Sequence, residues 1–261
     1  MKWIIRHTER LLKTDEKWKR SSRFKENEHD MPITSKGKKY LKKAVLEMIR
    51  EDTNFDKIEY IYSSPATRCI ETSIEIQKNV KKLTKKFLPI RIDYGLRELH
   101  PIYYYDHLKL KNGKIEYIVD FKKELVLDKK LHLKNLLKKY NTKHIIIDKN
   151  YKSQTSFTDA KYKSIDQVTG TNFALKSFKR IIKNDKIGHY IICSHSVAIQ
   201  YGLTAFTNKL LTFDVKKHIM GDNNWASLTG VSQTKSKKYP HRITYGPNAE
   251  YWLFIKIEKI N

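Results

Sequence analysis

The pentapeptide Arg6-His7-Thr8-Glu9-Arg10 stands directly after a short apolar run, Trp3-Ile4-Ile5. A strand ending there delivers an imidazole among guanidinium groups. Far downstream, Tyr190-Ile191-Ile192-Cys193 delivers Ser194-His195-Ser196 in the same way. A transferring phosphoryl group spreads negative charge over three equatorial oxygens, so its catalysis is mainly positioning and electrostatic stabilisation. Arginine serves because its planar fork holds two oxygens at once and keeps its charge. Histidine attacks only through an unprotonated ring nitrogen, a form that nearby guanidinium charges favour. Two strand-end histidines and a set of arginines therefore point to phosphoryl transfer through phosphohistidine. A lone histidine after an apolar strand is usually structural; the conjunction carries the reading.

These residues need a scaffold that brings distant strand ends together, and the pattern supplies one. Lys2 to Arg6 reads as a buried strand. Thr34 can cap a helix through about Met48, with Tyr40, Leu41, Ala44, Val45 and Met48 on one face. Ile58 to Tyr62 reads as a strand closed by Ser63-Ser64-Pro65, and a helix then opens and runs to about Lys78, with Pro65 in its tolerant first turn. Phe87 to Ile92 and His189 to Cys193 read as further strands, Val197 to Phe206 as a helix, and Trp225 to Val231 and Tyr251 to Ile257 as closing strands. Such alternation predicts an α/β fold, three layers with a mainly parallel sheet and helices on both faces. Ligands of these sheets bind beyond the carboxyl ends of the strands, where His7, His195 and Arg68 all fall. The stretch from about 100 to 188 breaks the alternation and is expected to form a cap inserted into a single domain spanning 1–261. The segments 11–30 and 233–248 read as loops.

Length and composition set the bounds. A domain of 261 residues can bury about 70–75% of its unfolded surface without a metal or disulfide staple. Cys69 and Cys193 have no close cysteine neighbour, which excludes a disulfide framework and a CxxC site. The histidines are dispersed without metal-ligand spacing, and there is no Walker-type glycine loop. The expectation is a protein without cofactor or metal. No apolar run is long enough to span a bilayer and no signal-peptide core is present, so an intracellular, cytoplasmic protein is expected. The net charge is +25, with 43 lysines and 10 arginines. It fits either compositional bias plus solubility or a surface for polyanions such as nucleic acid.

Five pieces in order resemble the histidine phosphatase superfamily, with its phosphoglycerate mutase-like fold: Arg6-His7-x-Glu9-Arg10, Pro32-Ile33-Thr34-x-x-Gly37, Ser63-Ser64-Pro65-x-x-Arg68, Leu96-x-Glu98 and Ser194-His195. The resemblance implies that His7 is the phosphorylated nucleophile, that Arg6, Arg10, Arg68 and His195 bind phosphate, and that Glu98 is the proton donor, with Glu9 the second candidate. Arg10 matches a variant of the motif found in the phosphatase domain of the suppressors of T-cell receptor signalling and in acid phosphatases. Ser196, where the acid phosphatase and phytase branch has aspartate, favours the mutase-like branch. Arg10-Leu11-Leu12-Lys13, where true mutases read Ser-x-Trp-Asn, favours hydrolysis. Thr8 stands where the family usually has glycine, a change that bears on affinity or substrate size. The resemblance thus implies a metal-independent phosphatase acting on a phosphorylated small molecule or phosphoprotein. A mutase-like phosphotransferase and a non-catalytic polyanion binder are the alternatives.

Overall fold

Three consecutive apolar residues, Trp3-Ile4-Ile5, make the first strand buried on both faces of the sheet. In the computed structural model, which describes residues 2–11, 15–22, 24, 30–97, 108–111, 114–117, 133–140, 142, 144–153, 155, 167–184, 188–195, 198–199, 241–245 and 254–259, strand β1 covers Lys2–Arg6. A short helix α1 (Glu16–Lys19) precedes helix α2 (Ser35–Glu51). Strand β2 (Tyr60–Ser63), helix α3 (Thr67–Thr84) and strand β3 (Ile90–Ile92) follow. A two-stranded hairpin of β4 (Leu108–Lys111) and β5 (Lys114–Tyr117) comes next. Helices α4 (Leu133–Tyr140) and α5 (Gln167–Asn184) lead to β6 (Tyr190–Ser194), β7 (His241–Tyr245) and β8 (Phe254–Lys259).

The main sheet runs β3-β2-β6-β1-β8-β7. Its β3, β2, β6 and β1 strands are mutually parallel, β8 is antiparallel to β1, and β7 is antiparallel to β8. The α/β class with a mainly parallel sheet is therefore the fold of the chain. Register pairs Arg6 with Ser194 and Ser63 with Cys193, so the polar residues that follow the strands end level with one another.

One face of the sheet packs Trp3, Ile5, Ile61, Ile90, Ile92 and Ile191 against Leu41, Ala44, Val45 and Met48 of α2 and Ile70, Ile74 and Val80 of α3. Thr34 caps α2, its Oγ1 accepting from the Gly37 amide at 2.9 Å. A side-chain cap of this kind contributes about 1 kcal/mol. Ile147 belongs to the same core and bridges Ile90 in parallel, with Asp148 N donating to Ile90 O at 2.8 Å. Residues 145–148, inside the expected cap segment, thus run beside β3.

Several boundaries differ from expectation, each for a local reason. Strand β2 begins at Tyr60 because Ile58 closes the 3-10 turn Phe55–Lys57, donating to Phe55 O. Strand β3 begins after Pro89, which has no amide proton for a ladder. Pro65 lies ahead of α3, not in its first turn, and the helix runs on to Thr84, where Lys85 takes a left-handed φ of 64°. The 11–30 segment contains α1. The segment 233–248, read as a loop, contains β7; His241-Arg242-Ile243-Thr244-Tyr245 has little apolar alternation, which an edge strand does not require. The expected strand 225–231 lies outside the described residues, and of the helix at 197–206 only Ala198 and Ile199 are described, both helical.

Candidate functional site

Ladder bonds continue one residue past the strands: His7 N donates to Ser194 O at 3.0 Å, Ser64 N to Cys193 O at 2.9 Å and Asp93 N to Ser63 O at 2.9 Å. His7, Ser64, Asp93 and His195 therefore stand in a row beyond the carboxyl ends of four adjacent parallel strands, where such sheets place their ligands. Arg6, His7, Arg68 and His195 are all buried, with His195 fully so. Charges in such surroundings act on each other more strongly than at the surface.

His7 is held in one tautomer. Its Nδ1 lies 2.9 Å from Thr8 O, and a carbonyl can only accept, so the proton sits on Nδ1 and the lone pair of the neutral ring sits on Nε2. Burial pushes the His7 pKa well below the ordinary imidazole value, and the charges of Arg6 and Arg68 and the His195 ring push it the same way, against the raising effect of the Thr8 carbonyl. The neutral, nucleophilic form is thus the resting form at neutral pH. The His195 ring lies edge-on to His7, centroids 5.4 Å apart and planes 60° apart. Its Nε2 is 2.9 Å from Ser64 Oγ and 3.4 Å from Cys69 Sγ.

Thr8 does not crowd this space. Its Oγ1 donates to Gly37 O at 3.1 Å, so the side chain turns toward α2, and its amide donates to Thr72 Oγ1 at 3.1 Å. Thr72 Oγ1 in turn donates to Arg68 O at 2.7 Å. A continuous relay therefore ties the loop carrying His7 to the helix turn carrying Arg68. Gly37 makes room for it: a Cβ there would meet Glu9 O at 2.8 Å and Thr8 Oγ1 at 3.0 Å. The start of α3 is capped from afar. Ala66 at the N-cap offers no side chain, and Asp30 accepts from Thr67 N at 2.9 Å and Thr67 Oγ1 at 2.5 Å. This carboxylate also favours the positive end of the helix dipole.

The structure thus brings Arg6, His7, Arg68 and His195 together. Arg10 bridges Ile33 in a short antiparallel pairing and directs Nη1 at Met31 Sδ, 2.8 Å away. Glu98 lies outside the described residues. Glu9 is half-buried; its Oε2 is buried and has no hydrogen-bond partner among the described residues. Cys193 is a fully buried core residue, and burial pushes the Cys69 thiol well above its usual pKa, keeping it protonated. Sequence reasoning missed the roles of Thr72, Asp30 and Cys69, and it passed over Arg97, which is buried directly after Leu96, whose carbonyl accepts from Ser194 Oγ at 2.8 Å. A signal existed for Thr72: α3 buries Arg68, Thr72, Ser73 and Gln77 among its isoleucines, and polar residues four apart on a buried helix face need partners. Among the described residues, no group of three or more His, Cys, Asp or Glu could hold a metal ion, and no helix is long and apolar enough to cross a membrane.

Fold and site define an α/β protein that presents a neutral imidazole with buried guanidinium groups at the carboxyl edge of a parallel sheet. Residues 3–105 match the model of the histidine phosphatase superfamily (branch 1). No curated protein matches the chain. Among solved structures, the phosphoserine phosphatase of Entamoeba histolytica with 3-phosphoglyceric acid overlaps at a TM-score of 0.38 and 13% identity, over 80% of this chain and 82% of that one. A mycobacterial glucosyl-3-phosphoglycerate phosphatase overlaps at 0.38 and 12%, over 79% of each chain. Bacillus stearothermophilus YhfR overlaps at 0.39 and 14%, over 97% of this chain and 94% of that one. The fold rests on the sheet order and register above, not on these loose overlaps.

Proposed function

We propose that the protein is a metal-independent phosphatase that hydrolyses phosphate monoesters through a phosphohistidine on His7. The observation that carries this is the 2.9 Å bond from His7 Nδ1 to Thr8 O, which leaves Nε2 with its lone pair beside two buried arginines. Nε2 attacks phosphorus, an N–P bond forms and the ester P–O bond breaks. The departing alkoxide takes a proton from a carboxylic acid, and Arg6, Arg68 and His195 hold the equatorial oxygens. Water then attacks phosphorus, the N–P bond breaks, the carboxylate takes the proton from water, and inorganic phosphate leaves.

Glu98 is the proposed donor. Glu9 is the second candidate, supported by its buried Oε2, two residues from His7 and without a hydrogen-bond partner among the described residues. Residues 100–188 are proposed to complete a single domain, with the part outside the sheet acting as a cap. Within the superfamily, Arg10 aligns this chain with the two-arginine variant of the motif, as in the phosphatase domain of the suppressors of T-cell receptor signalling. The substrate is a phosphorylated small molecule or phosphoprotein, and the protein is proposed to act in the cytoplasm.

Hydrolysis of para-nitrophenyl phosphate in the presence of EDTA tests the reading, comparing wild type with His7→Ala. Wild-type turnover that disappears in a folded variant is expected. Equal rates in the two proteins would refute it.

A further inference from the structure

Helix α2 carries an unusual outer face. Lys36, Lys39, Lys43, Glu47 and Arg50 recur three or four residues apart, which lines them up along one side of a helix, so four cations share that side with a single acid, and all five are exposed. Lys38 and Lys42 flank the row and are exposed as well; among the described side chains of this helix, Glu47 is the one exposed acid. At 1.5 Å per residue the row is about 21 Å long. No ion pair is found for Lys39, Lys43 or Arg50 among the described residues.

The placement of these charges works against local stability. Cations near a helix amino terminus oppose the macrodipole, yet the first turn of α2 has no acid and holds Lys36, with Lys38 immediately after. The same end of α2 abuts the site: Gly37 O accepts from Thr8 Oγ1, and Thr34 N donates to Glu9 O at 2.9 Å. The cationic row therefore begins beside the loop that carries His7 and leads away from it.

From this geometry we infer that the substrate is a phosphomonoester at the end of a longer polyanionic chain, whose further phosphates lie along Lys36, Lys39, Lys43 and Arg50. The inference rests on the phosphatase reading and names its substrate class. Lysine suits this task, since a compact ammonium on a flexible stem follows a phosphate chain without demanding one orientation. A linear row matches a strand of regularly spaced phosphates better than a compact small molecule, which could touch only its first member. A single-stranded oligonucleotide bearing a terminal phosphate is the occupant that fits this chemistry.

The test compares wild type with the variant Lys39→Gln/Lys43→Gln/Arg50→Gln, whose glutamines keep the helix propensity of these exposed positions. Two substrates are used, a 5′-phosphorylated oligothymidylate and para-nitrophenyl phosphate, the latter too short to reach the row. The variant is expected to lose tenfold or more in kcat/KM on the oligonucleotide at low salt and to stay within twofold on the small ester. Equilibrium binding of the oligonucleotide should show a log–log salt slope shallower by about 2 in the variant, the value for three lost phosphate contacts on a single strand. Equal losses on both substrates, or an unchanged slope, would overturn the inference. If wild type binds the oligonucleotide with the expected slope but hydrolyses neither substrate, the phosphatase reading fails while the row stands as a polyanion site.

Discussion

Ser64 and His195, 131 positions apart in the chain, meet at 2.9 Å between Oγ and Nε2. The meeting follows from register: β2 and β6 are parallel neighbours, and each residue is the first beyond its strand. Ser64 Oγ also accepts from Ala66 N at 3.3 Å, so this hydroxyl joins the turn that opens α3 to the second histidine. Leaving a buried polar atom without its partner costs about 1–3 kcal/mol.

Ser64→Ala is accordingly expected to lower kcat by about 10–100-fold, by the usual 1.4 kcal/mol per decade, with a smaller change in KM. The rate of para-nitrophenyl phosphate hydrolysis checks it. A variant with unchanged kcat would show that Ser64 does not orient His195.

The pH dependence follows from the sign of the His7 shift. Its pKa lies below the ordinary imidazole value because of burial and the Arg6 and Arg68 charges, so the nucleophilic neutral form persists as the solution becomes mildly acidic. The acid limb of kcat/KM reports the free enzyme and is expected below the ordinary imidazole pKa of about 6.5. Arg68→Gln removes one of the depressing charges and should move this limb upward while lowering kcat. A limb that stays in place in the variant would show that Arg68 does not act on His7.

Gly37→Ala tests the fit between α2 and the nucleophile loop. The new Cβ would press on Glu9 O and on the Thr8 side chain, and a backbone carbonyl cannot swing aside. A loss of about 1–3 kcal/mol of stability is expected for this overpacking, with activity falling further than stability because the displaced loop holds His7. Urea unfolding and a rate assay on the same sample separate the two effects; a variant with wild-type stability and rate would contradict the geometry.

Asp30→Ala removes the remote cap of α3. Loss of about 1–2 kcal/mol in urea unfolding is expected, the range for an N-cap carboxylate. Arg68 sits in the first turn of that helix, so KM for phosphate esters should rise as well. A purely structural role would leave KM unchanged.

Much of this was legible in the residues alone. The strand-end histidines declared themselves because an apolar run followed at once by Arg-His or Ser-His sets an imidazole where a buried strand gives way to polar chain, and the parallel register then placed the two together. The cap at Thr34 was equally plain, since a hydroxyl three residues before a glycine amide is local chemistry. The relay Thr8–Thr72–Arg68 and the Asp30 cap were not legible, because their partners are 64 and 37 residues apart and no periodicity encodes such pairings. The edge strand β7 was missed since its pairing with β8 (antiparallel, at the sheet margin) places little demand on side-chain pattern. Thr8, which stands where the family usually has glycine, turns its hydroxyl to Gly37 O; only the three-dimensional course of α2 reveals that.

The most direct test of the central claim is to trap the covalent intermediate. Wild-type protein mixed with a phosphate monoester is quenched in base within the first turnover, and its peptides are mapped by mass spectrometry. A single acid-labile, base-stable phosphoryl group on His7, absent from His7→Ala, is the predicted result. Continued turnover with no phosphoryl group on His7, or with the group on His195, would contradict the account.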